Sequence, residues 1–178
     1  MKLLRYGNAG EEKPGLIDSA GVIRDLSAHI ADIDGPALDD KNLRQLAALD
    51  TASLPVVDAT VRLGPCVDRV GKFICIGLNY ADHAAESGMA VPDEPVVFMK
   101  ATSAITGPND SVIKPRNSTK LDWEVELGVV IGKAASYVSL EDAESHIAGY
   151  CVINDISERA FQLERGGQWD KGKGCDTF

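Results

Sequence analysis

Long apolar runs are missing from this chain. No stretch approaches the ~20 consecutive apolar residues that a membrane-spanning helix needs. The start, Met1-Lys2-Leu3-Leu4-Arg5-Tyr6, is too short and too polar for a signal-peptide core. Positive charge is in deficit: 18 Lys and Arg face 27 Asp and Glu, for a net charge of −9, which argues against a nucleic acid partner. Only three histidines are present, and Cys66, Cys75, Cys151 and Cys175 form neither a CxxC nor a Cys/His pairing, so the zinc patterns are excluded. Without a secretion signal these cysteines read as free thiols in a reducing cytoplasm, with Cys75 and Cys151, inside apolar runs, as core residues. Nothing fits GxxxxGK[ST] or GxGxxG, so phosphate-cradling loops are absent. Repeats, low-complexity tracts and an acidic tail are absent too.

What remains is a soluble globular composition, 44% hydrophobic and 25% charged, with enough apolar material for a core. The length suits one domain, or a small domain plus part of a second. Residues 1–65 read as a small N-terminal domain and connector. Short strands are expected at 2–6, 14–17 and 22–25, with one helix over 38–49. A second composition begins at Lys72, so residues 66–178 read as one further domain, mostly strand with short helices. Its strands are expected at 73–77, 96–100, 121–131 and 149–153. Helices are expected from Asn79 to about Ser87, over 140–146 capped by Ser139, and over 157–164. Residues 171–178 have no terminating pattern.

Three acids alternate in Leu121-Asp122-Trp123-Glu124-Val125-Glu126-Leu127, ahead of the apolar Gly128-Val129-Val130-Ile131. On a strand, alternate residues share a face about 6–7 Å apart. Carboxylates that close repel unless water screens them or a cation sits among them. By spacing alone this is a solvated edge strand. Two features point the other way: the apolar continuation suggests a central strand, and Asp155 ends another apolar strand where a further carboxylate could converge. Oxygen donors without His or Cys suit Mg²⁺, Mn²⁺ or Ca²⁺.

His83 and Glu86, at i and i+3, share a helix face. They are either a surface pair or a general base, since a carboxylate beside an imidazole raises its basicity. His29 and His146 read as surface residues. Lys173, between Gly172 and Gly174, is either a solvated loop lysine or an ammonium that stabilises an oxyanion. Lys100 ends an apolar strand, and Arg159 and Gln162 share one helical face beyond Asp155.

Taken in order, these pieces resemble the fumarylacetoacetate hydrolase family. The resemblance rests on Ile76-Gly77-Leu78-Asn79-Tyr80-Ala81-Asp82-His83-Ala84-Ala85-Glu86, Phe98-Met99-Lys100, and the Asp122-x-Glu124-x-Glu126-Leu127 strand. It rests further on Gly149-Tyr150 through Asn154-Asp155-Ile156-Ser157-x-Arg159-x-x-Gln162, and on Lys171-Gly172-Lys173. It implies an α+β fold, mainly β with short helices: a mixed β-sandwich or roll preceded by a small N-terminal domain. It implies Mg²⁺ or Mn²⁺, with Ca²⁺ as a substitute, held by Glu124, Glu126 and Asp155, with Asp122 beside the ligands. His83 and Glu86 match the family's base dyad on a lid segment, and Lys173 matches its substrate-polarising lysine. Lys100, Arg159 and Gln162 are expected at the substrate.

The activity implied is metal-dependent hydrolysis of a carbon–carbon bond in a 2,4-diketo acid, such as an acylpyruvate or a diketo-deoxy sugar acid. The same site serves hydroxy-dienedioate isomerases, oxaloacetate decarboxylases and ureidoglycolate lyases, and a non-catalytic metal- or ligand-binding protein is the remaining alternative. A cytoplasmic homodimer acting on a small 2-oxo acid, with neither nucleic acid nor membrane as partner, completes the expectation. Family members normally continue past Phe178, so a C-terminally truncated chain is expected.

Overall fold

The structure is a computed structural model that describes residues 1–178 except Ser87 and Met89; the side chain of His83 also lies outside the described residues. The strands are β1 (Lys2–Tyr6), β2 (Lys13–Ile17), β3 (Ile23–Asp25), β4 (Phe73–Gly77), β5 (Val96–Lys100), β6 (Leu121–Asp122), β7 (Val125–Ile131), β8 (Ile147–Asn154) and β9 (Ser157–Glu158). The α-helices are α1 (Asp40–Ala47), α2 (Ala81–Glu86), α3 (Leu140–Ala143), α4 (Arg159–Leu163) and α5 (Asp170–Lys173). This is the mixed α+β composition expected, with short strands and short helices. No helix among the described residues is long and apolar enough to cross a membrane.

The chain forms two compact units that alternate along the sequence. One comprises Met1–Val70, Thr106–Asp110 and Val125–Ile153; the other comprises Gly71–Ile105, Ser111–Glu124 and Asn154–Phe178. The expected division into 1–65 and 66–178 followed sequence order, whereas the contacts group segments that are distant in sequence.

In the first unit, β1, β2 and β3 make an antiparallel sheet in that order, with Leu4 opposite Gly15. Its core is Leu16, Leu26, Leu46 and Leu54, against which Leu3, Ile30 and Leu49 pack. Burying each leucine fully contributes about 1.5–3 kcal/mol. Leu46 comes from α1, which starts where the Asp39 carboxylate accepts the Asn42 N–H at 2.8 Å. Arg5 is buried and forks onto Asp32, with Nε at 2.7 Å and Nη2 at 2.9 Å from its two oxygens.

β7 pairs with β8 in a two-stranded sheet. The expected central strand is therefore one half of a pair, and its apolar residues Val125, Leu127, Val129 and Ile131 are exposed, as are Tyr150 and Val152 on β8. The helix expected over 140–146 is α3 followed by a 3-10 turn, with Ser139 accepting the Asp142 N–H at 3.2 Å. His146 is not a surface residue: it is half-buried, with Nδ1 enclosed and without a hydrogen-bond partner. Cys75 and Cys151, expected in the core, are both half-buried.

In the second unit, β4 and β5 pair antiparallel, with Phe73 opposite Lys100. β6 pairs antiparallel with β9, setting Asp122 opposite Ser157. The single strand expected over 121–131 is thus two. Asp122 belongs to β6 and Glu126 to β7, and their partners are β9 and β8 respectively. The helix expected over 157–164 begins two residues late, because Ser157 and Glu158 form β9. The patternless segment near the end contains α5.

Candidate functional site

Asp155 follows the last residue of β8 and is buried, 4% exposed. Its N–H donates to the Glu124 carbonyl at 2.9 Å, which ties the two acidic residues together through the backbone. Two ammonium groups meet its side chain. Lys100 Nζ, at the end of β5, lies 2.5 Å from Oδ1 and donates also to the Ile156 carbonyl at 2.9 Å. Lys173 Nζ lies 2.9 Å from Oδ2 and 2.9 Å from Glu124 Oε2. Glu124 Oε1 receives Arg159 Nη2 at 2.5 Å, and Arg159 Nε donates to Asp122 Oδ2 at 3.0 Å. Arg159 Nη1 donates to Gln162 Oε1 at 3.1 Å. Cations and anions therefore alternate in one chain: Lys100, Asp155, Lys173, Glu124, Arg159, Asp122.

Burial works against the Asp155 carboxylate, but the hydrogen bonds and charges of Lys100 and Lys173 outweigh it and hold its pKa below the ordinary range. Burial, with the nearby positive charge of Lys173, lowers the Lys100 pKa against the raising effect of Asp155. Asp122 is held low in the same way, burial being outweighed by Arg159. Each of these charges is matched by a neighbour of opposite sign, the condition under which buried ions are tolerated.

Local structure explains how the groups are placed. Glu158, fully buried, accepts the Phe161 N–H at 2.8 Å and so caps α4. The same carboxylate accepts the Lys120 N–H at 2.6 Å, the Thr119 N–H at 3.0 Å and the Ser118 hydroxyl at 3.3 Å. One side chain thus fixes the start of α4, where Arg159 sits, to the approach to β6. α5 lies directly on this assembly. A Cβ at Gly172 would come 2.3 Å from the Glu158 carbonyl oxygen and 2.6 Å from the Gln162 nitrogen, so only glycine fits. The next residue, Lys173, is only 2% exposed, with its ammonium 5.1 Å from the Phe98 ring centre. Phe98 in turn meets Trp169 edge to face at 5.5 Å.

Lys100, Asp122, Glu124, Asp155, Arg159, Gln162 and Lys173 come together as expected residues of one cluster. The reading of Lys173 as a solvated loop lysine is overturned by its burial on α5. Glu126 lies on β7 in the other unit. Glu86 is exposed on α2, and the His83 side chain expected beside it lies outside the described residues. Sequence reasoning missed Ser157, whose hydroxyl bridges the Asp155 carbonyl at 3.0 Å and Glu124 Oε1 at 3.4 Å, as well as Glu158 and Phe98. Glu158 carried a usable signal: an acid immediately before a helix is a cap candidate.

Glu124 and Asp155 fit a hard divalent cation in chemistry, as carboxylate oxygens that converge on a single positive centre, here the Lys173 ammonium. Among the described residues, no three His, Cys, Asp or Glu side chains cluster as a complete metal cage.

The family model described as fumarylacetoacetate (FAA) hydrolase C-terminal matches residues 72–178, more than half of the chain and the whole of the charged cluster. The chain belongs to the fumarylacetoacetate hydrolase family. Curated relatives from Burkholderia ambifaria and Burkholderia cenocepacia, both named "Putative hydrolase", are 64% and 63% identical over all 178 residues. The chain spans 63% of the length of each. Among solved structures, a fumarylacetoacetate hydrolase from Exiguobacterium antarcticum superposes with a TM-score of 0.81 at 30% identity, over 100% of this chain and 63% of that one. A protein from Mycobacterium abscessus, described as a probable 2-hydroxyhepta-2,4-diene-1,7-dioate isomerase, gives 0.77 at 36% identity, over 100% and 61%. The fumarylacetoacetate hydrolase-like fold expected from the motifs is thereby established.

Proposed function

We propose that this chain carries the reaction centre of a metal-dependent hydrolase that cleaves a carbon–carbon bond in a 2,4-diketo acid. The observation that carries this reading is Lys173 Nζ, buried and 2.9 Å from both Glu124 and Asp155. Two carboxylates and an ammonium in that arrangement suit a substrate that is an anion and develops further negative charge on oxygen. Glu124 and Asp155 would hold Mg²⁺ or Mn²⁺, which when bound would supply a Lewis acid for the 2-oxo acid. Lys173 then donates a hydrogen bond to the oxygen on which charge develops. His83 would serve as the base that takes a proton from the attacking water, the role its motif with Glu86 implies. Arg159 balances the charge of Glu124 and Asp122, and Gln162 orients its guanidinium. Lys100 keeps Asp155 ionised and turned toward Lys173.

The test is release of pyruvate from acylpyruvates with Mg²⁺ or Mn²⁺ added. Activity is expected to disappear with exhaustive chelation and in Glu124→Ala, and to fall by about 10²–10⁴-fold in His83→Ala, the range for loss of a general base. Full turnover after chelation would sink the metal-dependent reading.

An isomerase reading is favoured by the description of the Mycobacterium abscessus neighbour. The two separate on product: a hydrolase releases a smaller acid, whereas an isomerase shifts the absorbance of a hydroxy-dienedioate without loss of carbon.

A further inference from the structure

Among the described residues, Lys173 is the one cation that touches both carboxylates assigned above to a divalent ion. Its Nζ lies 2.9 Å from Glu124 Oε2 and 2.9 Å from Asp155 Oδ2. The other two oxygens face other cations. Glu124 Oε1 meets Arg159 Nη2 at 2.5 Å, and Asp155 Oδ1 meets Lys100 Nζ at 2.5 Å. All four oxygens of the pair are therefore engaged by positive charge, and Lys173 alone bridges the two side chains. Lys173 is only 2% exposed, so water does little to solvate its ammonium. Besides the two carboxylates it meets the face of the Phe98 ring, 5.1 Å away. Lys100 is placed differently. It touches Asp155 but not Glu124, and it donates also to the Ile156 carbonyl at 2.9 Å, an acceptor it keeps whatever happens at Asp155.

We propose that Lys173 competes with a divalent cation for Glu124 and Asp155, so that the cation displaces the Lys173 ammonium from the bridge it makes between them. The proposal rests on the metal-dependent reading above and adds a control on cation entry to it. A hard dication held by these two residues draws on oxygens of both side chains, the same pair that Lys173 spans. Two positive centres in one poorly solvated place repel with less screening than at a surface. The ammonium is the one that can yield, because it rides on a flexible four-carbon stem. Displacement costs it two charge-assisted hydrogen bonds while it stays buried, so it needs a new acceptor. An oxyanion of the 2-oxo acid supplies one. Cation entry and delivery of the ammonium toward substrate are then one event. Lys100 takes no part in this exchange, since it spans nothing.

The experiment titrates Mn²⁺ calorimetrically, without substrate, into the unaltered 178-residue chain, Lys173→Met and Lys100→Met. Lys173→Met is expected to bind Mn²⁺ at least about tenfold more tightly than the unaltered chain, because the ion no longer breaks two hydrogen bonds between charged groups. Lys100→Met removes one positive charge beside Asp155 but no bridge, and its gain is expected to be smaller. A second measurement uses the unaltered chain and does not depend on a variant folding. The exchange of lysine ammonium protons with water is followed by NMR as Mg²⁺ is added. Exchange at Lys173 is expected to quicken as Mg²⁺ saturates, while Lys100 stays slow. Equal Mn²⁺ affinity in the unaltered chain and Lys173→Met, an equal gain in Lys100→Met, or unchanged Lys173 exchange at Mg²⁺ saturation overturns the competition and leaves the metal-dependent reading standing. Absence of Mn²⁺ binding in all three chains overturns that reading, and the competition with it.

Discussion

Gly172 and Glu158 are packed so closely that a methyl group on the glycine would lie 2.3 Å from the glutamate's carbonyl oxygen. That contact seats α5 on β9 and α4, and it determines where the following residue, Lys173, delivers its ammonium. A larger residue must push α5 away. Gly172→Ala is therefore expected to destabilise the chain by about 1–3 kcal/mol, the usual cost of overpacking. Urea denaturation measures this directly. A displacement of Lys173 by ~1 Å can cost about 10²-fold in rate, so turnover should fall further than stability alone explains. An unchanged urea midpoint would contradict the packing described.

Lys173 is shared between Asp155 and Glu124, whereas Asp155 has a second ammonium in Lys100. Lys173→Met leaves Glu124 with Arg159 and Asp155 with Lys100, but breaks the bridge between them. Removing one member of a buried ion pair typically costs about 3–5 kcal/mol. The remaining partners should hold the loss near the lower end. The sharper measurement is a double-mutant cycle with Asp155→Asn. Groups in direct contact are expected to couple by about 0.5–3 kcal/mol. Strictly additive effects would mean that the contact contributes nothing.

Much of this arrangement is legible in sequence, and the failures have physical causes. Short apolar runs bounded by turn residues mark β1 to β5, because both signals are local. The acidic alternation is equally local, and the exposure pattern does alternate from Leu121 to Ile131. The break between β6 and β7 leaves that alternation intact and changes only the pairing partner, which periodicity does not encode. Lys173 stands between two readings because its local pattern is ambiguous. Two flanking glycines look like a flexible loop, yet Gly172 is there because a backbone passes too close for any side chain. The pairing of Arg159 with Gln162 follows from helical spacing. The pairing of Lys100 with Asp155 spans 55 positions and has no local signature.

Glu158 accepts four hydrogen bonds from Ser118, Thr119, Lys120 and Phe161 while fully buried. Burial opposes its ionisation, but the backbone N–H groups of Lys120, Phe161 and Thr119, with the Ser118 hydroxyl, outweigh it and hold the pKa low. In Glu158→Gln one oxygen becomes an NH₂ group facing N–H donors. The loss is expected to be about 1–3 kcal/mol, the cost of a buried donor left unsatisfied. Hydrogen exchange at Phe161 and Lys120 should quicken together, since one carboxylate holds both amides. Faster exchange at only one of them would separate the α4 cap from the β6 approach.

Arg62 and Asp110 provide a pH test independent of the proposed reaction. Arg62 Nε and Nη2 reach the two Asp110 oxygens at 2.8 and 2.6 Å, and Thr106 Oγ and the Gly107 N–H add bonds of 2.8 Å each. The Arg62 hydrogen bonds hold the Asp110 pKa far below the ordinary carboxylate value, against a smaller opposing effect of burial, and the Thr106 and Gly107 bonds lower it further. The folded chain therefore keeps Asp110 charged to lower pH than the unfolded chain does. Its contribution is fully present above the unfolded-state pKa and is lost as pH falls from there toward the folded value. Asp110→Asn should cost about 1–3 kcal/mol near pH 7, typical of hydrogen bonds to a charged group. The difference from the unaltered chain should shrink as the pH is lowered below about 4, because the unfolded-state aspartate then takes up its proton. Urea midpoints at a series of pH values read both effects. A gap that stays constant down to the acid limit would mean that the Asp110 charge contributes nothing to the fold.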